Sequence, residues 1–248
     1  MNLAVRNIYT IAKRELGAYF TSPVAYVFIV IFLILAGVFT FPLSDFFARN
    51  EASLNAFFFW HCWLYLFLVP AVGMRLWSEE RRLGTIELLL TMPVTGWQAI
   101  VGKFTASWLF LGLALSLTFP MVITVNYLGS PDNGVIFCGY LGSFLMAGAY
   151  LAVSCLTSAI TRSQVISFIL SVLLCLILVM AGWPPLNDML SQWFGSGVIN
   201  AVASISVMTH FSQFQRGILD SGDIMFFLGL IFFCLFTTGV VIRNYRAG

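Results

Sequence analysis

The sequence predicts an all-α integral membrane protein with six transmembrane helices. Three observations carry that prediction. First, 60% of the 248 residues are hydrophobic and only 9% are charged, against roughly 45–50% and about 25% in soluble domains. Mean hydropathy is +0.95, more apolar surface than one soluble core of this length can hide. Second, the charges are bunched, leaving uncharged intervals long enough for the roughly 20 apolar residues that a spanning helix needs. Third, the basic residues divide unequally between the two sides that those spans create.

Residues 3–20 come first. At 100° per residue, Val5, Ile8, Tyr9, Ile11, Ala12, Leu16 and Tyr19 share one face, and Arg6, Asn7, Thr10, Lys13 and Arg14 the other. That pattern predicts an amphipathic helix lying in the membrane interface. Glu15 falls in the middle of the apolar face. Either it reaches water as a helix-end residue, or it pairs with a basic residue of the bundle, with Lys103 and Arg162 as the expected partners.

Spans are expected at about 24–43, 54–75, 104–127, 135–160, 164–183 and 223–242. The first run is too long for a signal-peptide core and has no convincing cleavage site, so it is expected to remain in the mature protein. Numbered this way, Arg6, Lys13, Arg14, Arg75, Arg81, Arg82, Lys103, Arg162, Arg243 and Arg246 lie on one side, and only Arg49 and Arg216 on the other. The positive-inside rule makes the first side cytoplasmic, with both termini. The interval 189–215 is uncharged but rich in Ser, Gln, Gly, Asn and His. Counting it as a seventh span would carry Arg243 and Arg246 outside, so 184–222 is expected as an outer re-entrant or interfacial segment. No internal repeat or linker is visible, and residues 1–248 are expected to form one domain.

Between the second and third spans Arg75, Glu79, Glu80, Arg81, Arg82 and Glu87 are concentrated. Projected as one helix, 78–92 carries a polar strip of Glu80, Gly84, Glu87 and Thr91, and leucines, isoleucine and methionine over most of the remainder. Pro93 ends it, because the residue before a proline is driven from α geometry. Such a helix is too apolar for cytosol and too charged to cross, so it must lie on something: an ordinary interfacial linker and a partner-binding segment both fit.

Little chemistry is legible. A phosphate loop needs GxxxxGK followed by Ser or Thr. The nearest approach, GWQAIVGKF at 96–104, has one residue too many and Phe104 in place of the hydroxyl. Five cysteines sit in apolar runs with no CxxC or Cys/His cluster, which points to buried thiols and to no metal site. His61 lies among aromatics and is expected to be packed or interfacial; His210, in the outer segment, is the candidate gate or substrate contact. Trp60, Trp63, Trp183 and Trp193 on one side, and Trp77 and Trp97 on the other, are expected as interfacial anchors. Gly139, Ser143 and Ala147, followed by Gly148, Ala152 and Ser154, give the fourth span a small-residue face for close helix contact, within one chain or across a dimer. No Asp, Glu, Lys or Arg lies near the centre of a span, which disfavours a secondary transporter built on an intramembrane charge. A membrane enzyme using His61 or His210 as base is weaker still.

The order of elements, together with RELGAYFTSPVAYVF (14–28) and EERRLGTIELLLTMPV (79–94), resembles the permease subunits of type-2 ABC exporters, in the branch related to gliding-motility and copper-site-maturation permeases. The resemblance covers the whole chain in topology and about thirty residues in motif. It implies a permease subunit of the bacterial cytoplasmic membrane, multi-pass, paired with a second permease chain as homo- or heterodimer. It also implies two copies of an ABC ATPase subunit, which bind ATP and Mg; an auxiliary periplasmic or membrane subunit is a further option. The partners are otherwise the lipid bilayer, with no nucleic acid and no cofactor on this chain. Residues 79–92 become the coupling helix, with Glu79, Glu80, Gly84, Thr85, Glu87, Leu88 and Pro93 matching the pattern. The cargo is not readable.

Overall fold

The computed structural model describes residues 3–47, 52–84, 95–191 and 196–244, which form twelve helices and no strand. In chain order they are α1 (Leu3–Thr21), α2 (Pro23–Thr40), α3 (Asn55–Gly73), α4 (Ser78–Leu83), α5 (Gly96–Ser116), α6 (Phe119–Leu128), α7 (Asn133–Ile160), α8 (Gln164–Met180), α9 (Pro184–Ser191), α10 (Ser196–Ala203), α11 (Val207–Gln215) and α12 (Ser221–Asn244). Among the described residues, five stretches are long and apolar enough to cross a membrane: Pro23–Thr40, Asn55–Leu83, Gly96–Leu128, Asn133–Ile160 and Ser221–Asn244. A sixth is reached if α8 and α9, bent by 66° at their junction, count as one broken span. The chain is a multi-pass membrane protein.

The helices start where local chemistry lets them. Ser22 accepts from Val24 N and Pro23 follows at the first helical position, so α2 begins directly after α1. Thr95 and Gln98 form a reciprocal capping box at α5. Asp132 accepts from Gly134 N and Val135 N at α7. The third apolar stretch is interrupted around Leu117 and Thr118, and Pro120 opens α6 in its first turn. Helix α5 begins at Gly96, well before the expected start at residue 104. Lys103 had read as the edge of the span because a lone charge in an apolar run usually sits at the water boundary. Here it is inside a helix and 5% exposed.

Helix α7 is the axis of the bundle: α3, α4, α5, α8, α11 and α12 all pack on it. Its small residues are used within this chain. A Cβ on Gly139 would lie 2.5 Å from the Phe58 ring, one on Gly142 2.7 Å from Phe214, and one on Gly148 2.7 Å from Trp108. Three neighbours thus sit closer to α7 than any side chain there would allow. Helix α8 shows the reversed polarity of a lipid-facing element. Ser167, Ser171, Cys175 and Val179, spaced by four, are buried, while Val165, Ile166, Ile169, Leu173 and Ile177 point outward.

Helix α1 packs along α5, but its buried stripe is rotated from the expected one. Val5 and Tyr9 are exposed, while Asn7 is partly buried and donates to Gln98 Oε1 at 3.2 Å. Ile8 and Ile11 meet Gly102, Tyr19 stacks on Phe110 at 4.8 Å, and its hydroxyl bonds Ser107 at 2.9 Å. Burial pushes the Tyr19 phenol upward, against the Ser107 hydrogen bond. This rotation turns Glu15 toward the bundle. In the segment before α12, α11 is inserted against α3, α7, α8 and α12, with Val207, Phe211 and Phe214 fully buried.

Candidate functional site

The charged segment leaves α3 at Met74, and α7 receives it. The Ser158 hydroxyl of α7 accepts from Trp77 N at 2.9 Å and Ser78 N at 3.0 Å, and donates to Met74 O at 3.0 Å. Trp77 is wholly buried and donates its indole N–H to Cys155 Sγ at 3.3 Å, so it is a core residue and not the interfacial anchor that its position suggested. Arg81 donates to Ala159 O at 2.5 Å. These contacts fix the start of α4 on the end of the bundle's axis.

Lys103 of α5 is the centre of the joint. Its ammonium lies 2.7 Å from Glu80 Oε1 of α4 and 3.8 Å from Glu15 Oε1 of α1. It also donates to Leu76 O at 3.2 Å and stands 5.3 Å above the Trp77 ring. A buried ammonium is tolerated when carboxylates and carbonyls replace its water. Glu15 is further bound by Arg14 at 3.0 Å. The misfit on α1 therefore faces a cation. Arg162, the other expected partner, is exposed and makes no ion pair among the described residues.

Helix α4 ends at Leu83, and Gly84 closes it with φ +71 in the left-handed region. One uninterrupted helix through Gly84 therefore does not form. Glu80 pairs with Lys103 of α5 through its Oε1. What faces out is Glu79, 3.9 Å from Arg75, together with Arg82, Leu83 and Gly84. Thr85, Glu87, Leu88, Thr91 and Pro93 lie outside the described residues.

Beside the joint is a cavity of about 690 Å³. Its lining includes the charged Glu15, Arg75, Glu79, Glu80 and Lys103 and the apolar Val24, Ala25, Phe28, Val72 and Phe110.

A model of the ABC-2 family transporter protein matches residues 47–242. The chain belongs to that family. Its members are non-catalytic transmembrane subunits that work with ABC ATPase subunits. The match takes in Lys103 and Glu80 of this permease and leaves α1 and α2 outside. No curated protein matches the chain.

At the opposite end of the permease His210 is enclosed. Its Nδ1 lies 2.6 Å from Asp223 Oδ1 and its Nε2 2.9 Å from Ser204 O, with the ring stacked on Phe226 at 3.9 Å. Each ring nitrogen of His210 thus faces an oxygen, one from α12 and one from the chain just before α11. Asp223, 6% exposed, was not singled out from the sequence. Its one signal is an acid in the first turn of α12, where the helix dipole favours negative charge. His61 is fully buried, with Nδ1 2.7 Å from Phe57 O and Phe32, Phe57, Phe58 and Tyr65 around it. That environment is a packed core, and no group of three His, Cys, Asp or Glu suited to a metal occurs among the described residues.

Proposed function

We propose that this permease forms the membrane path of an ATP-driven exporter as a dimer, coupled to two ATPase subunits through the segment that begins with α4. ATP and Mg belong to those subunits. In this reading α4 and both termini are cytoplasmic in a bacterial inner membrane, α1 is the interfacial helix, and 184–222 is the outer re-entrant part. His210 there ties α11 to α12 as an outer gate. The whole chain acts as one permease domain of the branch named by its motifs.

One observation carries the coupling role: Lys103 joins α1, α4 and α5 through Glu15 and Glu80, while Ser158 joins α4 to α7. A push on α4 has no slack to take up before it reaches three other elements. Docking is assigned to the outward residues Arg82 and Leu83 and to the following stretch with Glu87.

Co-purification with the ATPase, read beside membrane insertion, tests the assignment. Leu83→Glu with Glu87→Lys should release the ATPase at least tenfold, since misplaced charge at a desolvated contact costs several kcal/mol, in order of magnitude about 3. The permease should remain inserted. Full retention of the ATPase and normal transport would place docking elsewhere; loss of the permease from the membrane would make the segment a folding element.

A further inference from the structure

We propose that the cavity beside Lys103 binds one zwitterionic aminophospholipid, of the phosphatidylethanolamine class, from the leaflet on the α4 side. The inference rests on the chain's membrane placement and is independent of any ATPase partner.

The cavity's polarity runs along the spans. Ser22 caps α2, and Val24, Ala25 and Phe28 follow in its first two turns; Val72 is the last-turn residue of α3, with Arg75 and Glu79 beyond the helix end. The charged wall therefore lies where spans end and the apolar wall where they enter the bilayer. That is the order of headgroup and acyl chain in the surrounding leaflet. Val24, 52% exposed, marks a mouth toward lipid. The volume of about 690 Å³ is within the usual range of ligand sites, about 300–1,000 Å³. A free ion would leave the apolar half unfilled, and a bare hydrocarbon would leave the charges unmet.

The charges select the headgroup. Three carboxylates and two cations line the site, one negative charge in excess. Lys103 is already enclosed by Glu80, Leu76 O and Glu15. That leaves Arg75 and Glu79 at the rim, 44% and 39% exposed, held to each other at 3.9 Å. Arg75 suits a phosphate, to which guanidinium donates from two nitrogens. Glu79 suits an ammonium with three N–H donors. Choline has none of these donors, and a glycerol headgroup brings a net negative charge toward an acidic site.

The test is native mass spectrometry of the full chain, incubated in detergent with equal amounts of dioleoyl phosphatidylethanolamine, phosphatidylcholine and phosphatidylglycerol. One ethanolamine lipid should be retained about tenfold over the other two, the discrimination of one charge-assisted hydrogen bond. Glu79→Gln should bring the ethanolamine-to-choline ratio to within about twofold of unity. Val24→Trp, at an exposed position on the mouth, should lower retention of the ethanolamine lipid about tenfold by filling the apolar end. Equal or greater retention of phosphatidylglycerol overturns the proposal. So does a wild-type preference that survives either substitution, which would place the lipid at another surface.

Discussion

At the α4 end of the bundle, Lys103 gathers carboxylates from two other helices, one of them near the start of the chain. At the opposite end, His210 reaches an Asp only 13 residues further on. The first contact closes a joint between elements that a motion could separate. The second is a latch made almost within one segment, holding α11 against α12 whatever α1 or α5 does. The polar contacts at the two ends therefore differ in what they constrain. The α4 end constrains relative movement, and the His210 end constrains local shape.

Breaking the joint should give the largest effect. Lys103→Met removes the cation that Glu15 and Glu80 share, a loss of about 3–5 kcal/mol. Thermal unfolding of the purified chain, followed by tryptophan fluorescence, should show the fall, and adding Glu80→Gln should recover part of it. A fall below about 1 kcal/mol would mean that water reaches the joint freely and that it behaves as a surface pair.

His210→Leu should cost less, about 1–3 kcal/mol, the penalty of leaving the buried Asp223 carboxylate short of a donor. Here the informative reading is local. Amide exchange should rise across 204–223 and stay unchanged at α1 and α4. Exchange that rises at both ends would erase the distinction between latch and joint.

The smallest effect is expected at Glu79→Gln. A pair 3.9 Å apart with both partners more than a third exposed contributes less than about 0.5 kcal/mol. The unfolding temperature should not move beyond error; a clear drop would make Glu79 a third member of the joint.

Much of the fold was legible, because spans are written in residue type. The intervals 54–75, 164–183 and 223–242 differ from α3, α8 and α12 by only a few residues at each end. Glu15 was legible as an anomaly, since a carboxylate on an apolar stripe demands an explanation, and Lys103 was one of two partners named for it. The length of α4 was not legible for a definite reason. A helical projection assumes continuity, and Gly84 at φ +71 ends the helix four residues after Glu80. Trp77 was misplaced because tryptophan favours interfaces on average, and nothing local tells that Cys155 and Ser158 wait opposite it. Ser158 itself gave no signal: one serine in a small-residue helix looks like every other until the strand of chain it receives is in view.

That serine also bears on how the segment can be studied. Trp77, at the N-cap of α4, has no side-chain cap of its own, and the free amides at the helix start are met by a hydroxyl from α7. The cap is borrowed from a residue some eighty positions away. A synthetic peptide covering the charged segment would carry every residue of the motif and lack the group that starts its first turn. Short helices have little tendency to form alone, so such a peptide would be a poor competitor for whatever the intact protein binds there. Grafting the segment onto a soluble carrier would succeed only if the carrier supplied a hydroxyl in the place of Ser158.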